Sequence, residues 1–369
     1  MLSDITRPTA LLNEETARRN IARMAEKARR SGVRFRPHFK THQSAVIGEW
    51  FRAEGVTAIA VSSVSMARYF AAHGWRDILI AFPVNWREIE AINALAKAIN
   101  LHLLVESVET VRFLSERLAF PVMVWLKVDT GYGRTGLRWD DLENLKRVAR
   151  AVEAGRQMTL CGVLTHAGHS YQARSVAELR SIFAATVGRI RVARGALEQA
   201  GFSGLQTSVG DTPCCSVVEG FAGVDEVRPG NFVFYDMMQV QIGACRVEDV
   251  AVAVACPVVA IHPGDRRIVI YGGAVHLSKE RLALDDGAIS YGAVALPDES
   301  RGWGPPLPGC YVASLSQEHG VIRASDDLLA QARVGDLLMV LPVHSCLTVD
   351  LLKVYRTLAS ERIPMMGAG

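Results

Sequence analysis

In the stretch RFRPHFKTHQS, Arg34 to Ser44, one lysine stands between two histidines, His38 and His42, each two positions away. Along an extended chain, residues two apart share a face, so His38, Lys40 and His42 project together for as long as the strand continues. They form either a polar strand end or a lysine whose ammonium is crowded by basic neighbours, titrates low and acts as a nucleophile. Further on, His166 and His169 in HAGHSY, with Tyr171 beside them, can be core residues, metal ligands or acid–base groups. His344 and Cys346 in PVHSC lie two apart on a strand-like segment, where an imidazole and a thiolate can share one divalent ion. The alternative is a buried cysteine beside a surface histidine. Two ligands do not close a structural site, so such an ion keeps positions open for water or substrate. In SVGDTP, Ser208, Gly210 and Thr212 offer hydroxyls and unblocked N–H groups to a phosphate, and Asp211 opposes one unless it points away. The same hexapeptide also reads as a helix N-cap with a proline-led first turn.

The elements that must position these groups have a regular rhythm. Eight β-rich runs fall at 33–40, 56–62, 77–82, 101–105, 121–129, 159–166, 205–209 and 224–228. Between them lie stretches with apolar residues at helical spacing, such as NWREIEAINALAKAI and SVETVRFLSERL, of which TPCCSVVEGF is the weakest. Near-continuous apolar strands alternating with amphipathic helices predict a parallel sheet, and eight such units predict an α/β fold of the (β/α)8 TIM-barrel type. A doubly wound open sheet is the alternative. Beyond about residue 240, β-rich runs separated by Gly, Pro and Asp predict a mostly antiparallel β domain. The expected division is a barrel over 1–240 and a β domain over 241–369, with the boundary between Asp236 and Asp249. The segment from Asp285 to Gly304 is expected to be a lid or pocket-lining loop.

A barrel gathers its chemistry at the C-terminal ends of its strands. Lys40 and His42 close the first strand, KVDTGYGRTG with Arg134 closes the fifth, and THAGHSY closes the sixth. SVGDTP closes the seventh, and VRPGNFVFYD, with Gly230 and Tyr235, closes the eighth. Five of the eight exits therefore carry polar or Gly-rich sequence on one face. The remaining composition excludes other classes. A formal charge of +3 over 369 residues, without a basic run interleaved with aromatics, does not make a nucleic-acid surface. The N-terminus lacks the pattern of a secretory signal, and the longest apolar runs are too short and too β-branched to span a bilayer as helices. Seven cysteines without a repeated CxxC pair fit a reducing cytoplasm.

In their order along nearly the whole chain, RPHFKTH, KVDTGYGRTG, SVGDTP, VRPGNFVFYD, LSQEHG and PVHSC resemble the D-serine dehydratase and D-threonine aldolase family. These are fold-type III pyridoxal-phosphate enzymes with an alanine-racemase-like barrel followed by a β domain. The resemblance implies that Lys40 carries pyridoxal 5′-phosphate, with Arg134 near the ring. It places Ser208, Gly210, Thr212, Gly230 and Tyr235 at the phosphate and cofactor edge, with His38 and Tyr171 among the other contacts. It makes His344 and Cys346 ligands of a divalent metal, zinc or else manganese or magnesium. A homodimer and a small D-amino acid substrate are further implications. HAGHSY and the cysteine of HSC look like the dehydratase branch, since aspartate is expected as the second ligand in the aldolases. Two departures stand out: Asp211 replaces an expected small hydroxyl residue, and Gln43 replaces a lysine, which should affect the rim of the site.

As a dehydratase, the enzyme would use Lys40 to remove the Cα proton and the metal to help the β-hydroxyl leave, giving a 2-oxo acid and ammonia. As an aldolase, it would use His169, His166 or a metal-bound water to take the hydroxyl proton, giving glycine and an aldehyde. A racemase with Tyr171 or Tyr235 as second base leaves the metal pair unexplained. A non-catalytic pyridoxal-phosphate carrier leaves the β domain unexplained.

Overall fold

The computed structural model describes residues 2–368. The chain divides into two units, one of Ala22–Lys40 and Gly48–Gly230, the other of Met1–Ile21, Thr41–Ile47 and Asn231–Gly369.

In the first unit all eight expected strands are present: Arg34–Phe35, Ala58–Val61, Asp77–Pro83, Asn100–Val105, Val122–Asp129, Met158–Leu164, Gln206–Val209 and Glu226–Val227. Each pairs in parallel with its neighbours, the eighth pairs with the first, and a parallel bridge from His38 to Ala60 joins the first to the second. The sheet is thus a closed barrel rather than an open doubly wound sheet. Helix starts follow the sequence. Ser63, Ser107, Asp141, Ser175 and Asp211 each accept a hydrogen bond from a backbone N–H three residues on, capping the helix that returns the chain. The helix Leu142–Glu153 buries Leu145, Val148, Ala149 and Val152, the spacing of a single apolar face. The seventh connector is a helix of only six residues, Thr212–Val217.

The barrel interior is part apolar and part ionic. Ala60, Leu79, Leu104, Trp125, Cys161 and Leu164 pack into one cluster. Beside it Arg36, with 0% exposure, donates from Nε to Glu226 at 2.7 Å and from Nη1 to Asp77 at 2.5 Å. His102 Nε2 stands 3.1 Å from Asp77, and Trp125 donates to His102 Nδ1 at 3.1 Å.

The second unit is a nine-stranded sheet. Its strands run Arg267–Tyr271, His319–Arg323, Tyr311–Leu315, Gly292–Ala295, Leu337–Pro342, Val252–His262, Thr9–Leu12, Val354–Thr357 and Arg362–Pro364, and Val252–His262 also pairs with Arg267–Tyr271. All these pairings are antiparallel except that of Thr9–Leu12 with Val354–Thr357. Val254, Val258, Ile268, Ile270, Val312, Ile322 and Val340 form its core.

Three expectations are corrected. The division is not a single break near 240, because Ala10, Leu11 and Leu12 are buried in the β unit through pairing with Val252–Ala255, and the chain leaves the barrel at Gly230. The tetrapeptide TALL is too short to announce that pairing by periodicity. Residues 285–304 are not a free loop, since they contain Gly292–Ala295, a strand of the β sheet, and three two-residue strands. The extended run at Lys40 ends at His38, and the chain turns over residues 39–42, so His38, Lys40 and His42 do not share a strand face.

Arg36→Met removes the cation bonded to the buried Glu226 carboxylate and leaves it the Ser208 hydroxyl alone. The expected loss, read by urea unfolding, is about 3–5 kcal/mol, and a second change, Glu226→Gln, should recover part of it.

Candidate active site

The barrel unit collects its polar groups at strand exits 1, 5, 6, 7 and 8, as expected. Lys40 is exposed at the end of the first. The ring of His38 folds back, its Nδ1 accepting from the Lys40 backbone N–H at 3.3 Å, so it helps to organise the turn. At the fifth exit Asp129 shapes the loop. Its Oδ1 accepts from the N–H groups of Gly131, Tyr132 and Gly133 at 2.9, 2.9 and 3.1 Å. Burial pushes its carboxyl up, but these bonds outweigh it and hold the pKa below the usual range. The loop presents Arg134, whose guanidinium lies 5.0 Å from the Tyr132 ring centroid.

At the sixth exit, the Tyr132 ring packs against Gly168, where a Cβ would come within 2.3 Å of it. The ring centroid of Tyr132 lies 6.1 Å from that of His166 and 6.3 Å from that of His169, and Tyr171 is 6.4 Å from His166. His166 Nδ1 bonds to the carbonyl of Gly210. Burial pushes its pKa down to about 3, with the charges of Lys40, Arg134 and Lys127 acting in the same direction, so this ring stays neutral and is a weak base. His169 Nδ1 is buried with no hydrogen-bond partner among the described residues.

The seventh and eighth exits form one bonded assembly. Ser208 donates from Oγ to Glu226 at 2.7 Å and accepts from Arg228 Nε at 2.7 Å, so its hydroxyl is an internal link of the barrel. Arg228 Nη2 also donates to the Thr165 carbonyl at 2.5 Å. Gly210 is required because a Cβ there would meet the Arg228 backbone at 2.9 Å. Asp211 is buried and engaged within the protein: its Oδ1 accepts from Cys214 N–H at 2.8 Å and from Ser170 at 2.9 Å, and burial raises its pKa. The N-cap reading of SVGDTP is therefore present, while Thr212 Oγ1, accepting from Gly230 N–H at 3.3 Å, keeps the hydroxyl and amide at the exit.

Lys127 was not among the expected site residues. It is buried on the fifth strand, donating to the Val128 carbonyl at 3.1 Å. Burial, together with Arg228 and Arg134, lowers its pKa to about 7. Arg36, Glu226 and Arg228 were missed as well. Each is a charged residue in or beside an apolar strand, which is the available signal of a paired buried charge. The cations around His166, with the Thr212 hydroxyl and the Gly230 amide, suit an anionic cofactor such as pyridoxal phosphate.

In the β unit, His344 Nδ1 lies 3.1 Å from Asp236 Oδ2, and the ring also bonds to Cys346. Burial would lower its pKa, but Cys346 and Asp236 prevail and hold it well above the ordinary imidazole range. Cys346 Sγ is 3.2 Å from Thr41 Oγ1 and accepts from Asn231 Nδ2 at 3.5 Å. No group of three His, Cys, Asp or Glu able to hold a metal occurs among the described residues. The pair of imidazole and sulfur fits an ion with open positions. His42 is fully buried here, with Nδ1 accepting from Ser44 N–H at 3.2 Å and a pKa pushed by burial down to about 3. Gln43 is buried too and bonds Asp350 at 2.7 Å, so it is not a rim residue. Tyr235 is buried in the left-handed region, with φ 49°.

Residues 12–237 match the family described as "Alanine racemase, N-terminal domain", and residues 251–358 match a serine dehydratase domain. The D-threo-3-hydroxyaspartate dehydratase of Delftia sp. (strain HT23) is 32% identical over 365 residues, spanning 96% of this chain and 94% of that one. The chain belongs to the alanine-racemase-fold family of D-serine dehydratases and D-threonine aldolases. As a member it is a pyridoxal-phosphate-dependent lyase. The D-serine dehydratase of Dictyostelium discoideum is 26% identical over 393 residues, 98% of this chain and 95% of the relative. The solved Delftia enzyme superposes with a TM-score of 0.90 at 29% identity, covering 100% and 99% of the two chains. A D-threo-3-hydroxyaspartate dehydratase with one cysteine replaced by alanine, in the metal-free form, gives 0.91 at 29% identity over 100% and 99%. No helix among the described residues is long and apolar enough to cross a membrane.

The unfolded chain holds the proton of Lys127 up to about pH 10, whereas the folded chain releases it near pH 7. Between these values the unfolded state binds more protons, so stability should rise with pH across that window. Lys127→Met should flatten the rise in urea unfolding measured from about pH 6 to about pH 10.

Proposed function

We propose that the chain is a dehydratase of D-3-hydroxy amino acids, D-serine or 3-hydroxy-D-aspartate, giving a 2-oxo acid and ammonia. Pyridoxal phosphate on Lys40 would supply the electron sink for chemistry at Cα. Lys40 Nζ is the base that takes the Cα proton. Arg134 faces the cofactor ring, and Thr212 Oγ1 with the Gly230 amide bind its phosphate, while Ser208 acts from behind by holding Arg228. Tyr171 and His169 line the exit. His344 and Cys346 hold a divalent ion, whose contribution when bound is to polarise the β-hydroxyl.

The observation that carries the reading is the ligand pair of the β unit. Its imidazole is set by a buried carboxylate, and its sulfur is bonded by Thr41 and Asn231. A carrier protein has no use for such a pair. The metal-free cysteine variant of a relative supports a metal-binding cysteine in this family. Cysteine rather than aspartate at 346, and the full-length similarity to dehydratases, support elimination over retro-aldol cleavage.

Purified protein incubated with D-serine, D-threonine and 3-hydroxy-D-aspartate, with and without metal, should yield a 2-oxo acid and ammonia. Glycine with an aldehyde as the main products would refute the dehydratase reading. Removing the metal with a chelator should abolish turnover and leave the visible absorbance of the bound cofactor. Lys40→Ala should lose that absorbance, and an unchanged spectrum would sink the cofactor assignment.

A further inference from the structure

We propose that Asp236 is the positioning residue of the metal pair, fixing both the tautomer of His344 and the start of the helix that carries Cys346. The inference rests on the reading of His344 and Cys346 as metal ligands. Asp236 has 0% exposure, and a buried carboxylate persists only where donors satisfy it. Its Oδ2 faces His344 Nδ1 at 3.1 Å, Asn231 Nδ2 at 2.7 Å, Ser345 N at 3.0 Å and Ser345 Oγ at 3.3 Å. Its Oδ1 accepts from Gln239 N at 3.0 Å, capping the helix Met237–Gln241.

Two consequences follow from this one group. A carboxylate at Nδ1 requires that nitrogen to carry the proton, which leaves the Nε2 lone pair for an ion and makes it a stronger donor. His344 stands at the N-cap of the helix Ser345–Leu352, yet its side chain caps nothing. Asp236 takes that place by accepting the Ser345 N–H, from 109 residues away in sequence. The helix therefore begins where Asp236 holds it, and Cys346 is its second residue. Tyr235, immediately before, adopts φ 49°, a conformation that a bulky residue keeps only where its surroundings impose it.

The test uses cofactor-loaded protein and Zn2+ in competition with a fluorescent chelator, comparing wild type, Asp236→Asn and His344→Ala. Asparagine keeps the size and the capping ability of the residue, so the substitution removes the carboxylate while leaving Gln239 a cap. Zn2+ affinity should fall about 10–100-fold in Asp236→Asn, at unchanged circular dichroism, and further in His344→Ala. Wild-type affinity in folded Asp236→Asn, with loss in His344→Ala, overturns the positioning role. Wild-type affinity in both overturns the metal assignment itself, and the proposal with it. Nitrogen NMR of Zn2+-loaded wild-type protein, in which the ion occupies one ring nitrogen and the other keeps its proton, decides independently of any variant's folding. Protonated Nδ1 in His344 is the expected result, and protonation at Nε2 alone overturns the proposal.

Discussion

The barrel depends on one buried cation. Arg36 directly follows the first strand, whose regular pairing with the eighth comprises two residue pairs, Arg34 with Glu226 and Phe35 with Val227, and the segment meets the second strand at the bridge from His38 to Ala60. Backbone bonds continue the seam past these pairs, with the N–H groups of Arg36 and His38 donating to the carbonyls of Val227 and Pro229 at 3.0 and 2.9 Å and that of Phe39 to Ala60 at 2.8 Å. Side-chain bonds supplement it: Arg36 joins the first strand to Glu226 on the eighth and Asp77 on the third. Burying such charges costs several kcal/mol per ion and is tolerable only when each finds partners, so the pairs give the closure a definite register more than a large net stability.

The same chain of bonds leads from the barrel interior to its working end. Glu226 receives Arg36 on one oxygen and Ser208 on the other, Ser208 receives Arg228, and Arg228 reaches the carbonyl of Thr165. Strands 1, 6, 7 and 8 are thus cross-linked just below the exits that carry Lys40, His166 and Thr212. This explains two features at once. Gly210 can have no side chain, because the Arg228 backbone occupies that space. Lys127, buried beside Arg228 and Arg134, gives up its charge more easily than an exposed lysine.

The legible part of the fold was what short-range periodicity encodes. All eight barrel strands lie where apolar runs alternate with amphipathic helices, and the polar motifs sit at the exits. The strand at Thr9–Leu12 was not legible, because a threonine and three apolar residues before a helix look alike whether they pair with residue 254 or with nothing. A shared face for His38, Lys40 and His42 requires an extended conformation, which the chain abandons at His38. The hydroxyl and position of Ser208 suggest a phosphate ligand. Its engagement with Glu226 and Arg228, 18 and 20 residues later, could not be seen from the hexapeptide.

The β unit shows why motifs locate chemistry better than they explain it. The spacing of His344 and Cys346 suggests two side chains on one strand face, but the strand ends at Pro342 and the two residues instead straddle a helix start, His344 as N-cap and Cys346 as second residue of Ser345–Leu352. The groups bonded to the pair come from elsewhere in the chain: Asp236, Asn231 and Thr41 are separated from it by between 108 and 305 residues. Each was visible only as the tail of another motif, Asp236 closing VRPGNFVFYD and Thr41 following the lysine of RPHFKTH. A carboxylate at the end of a strand-exit motif looks like a solvated cap until its burial is known. Once buried it must be neutralised or bonded, and the five donors around Asp236 satisfy that requirement while directing an imidazole and starting a helix.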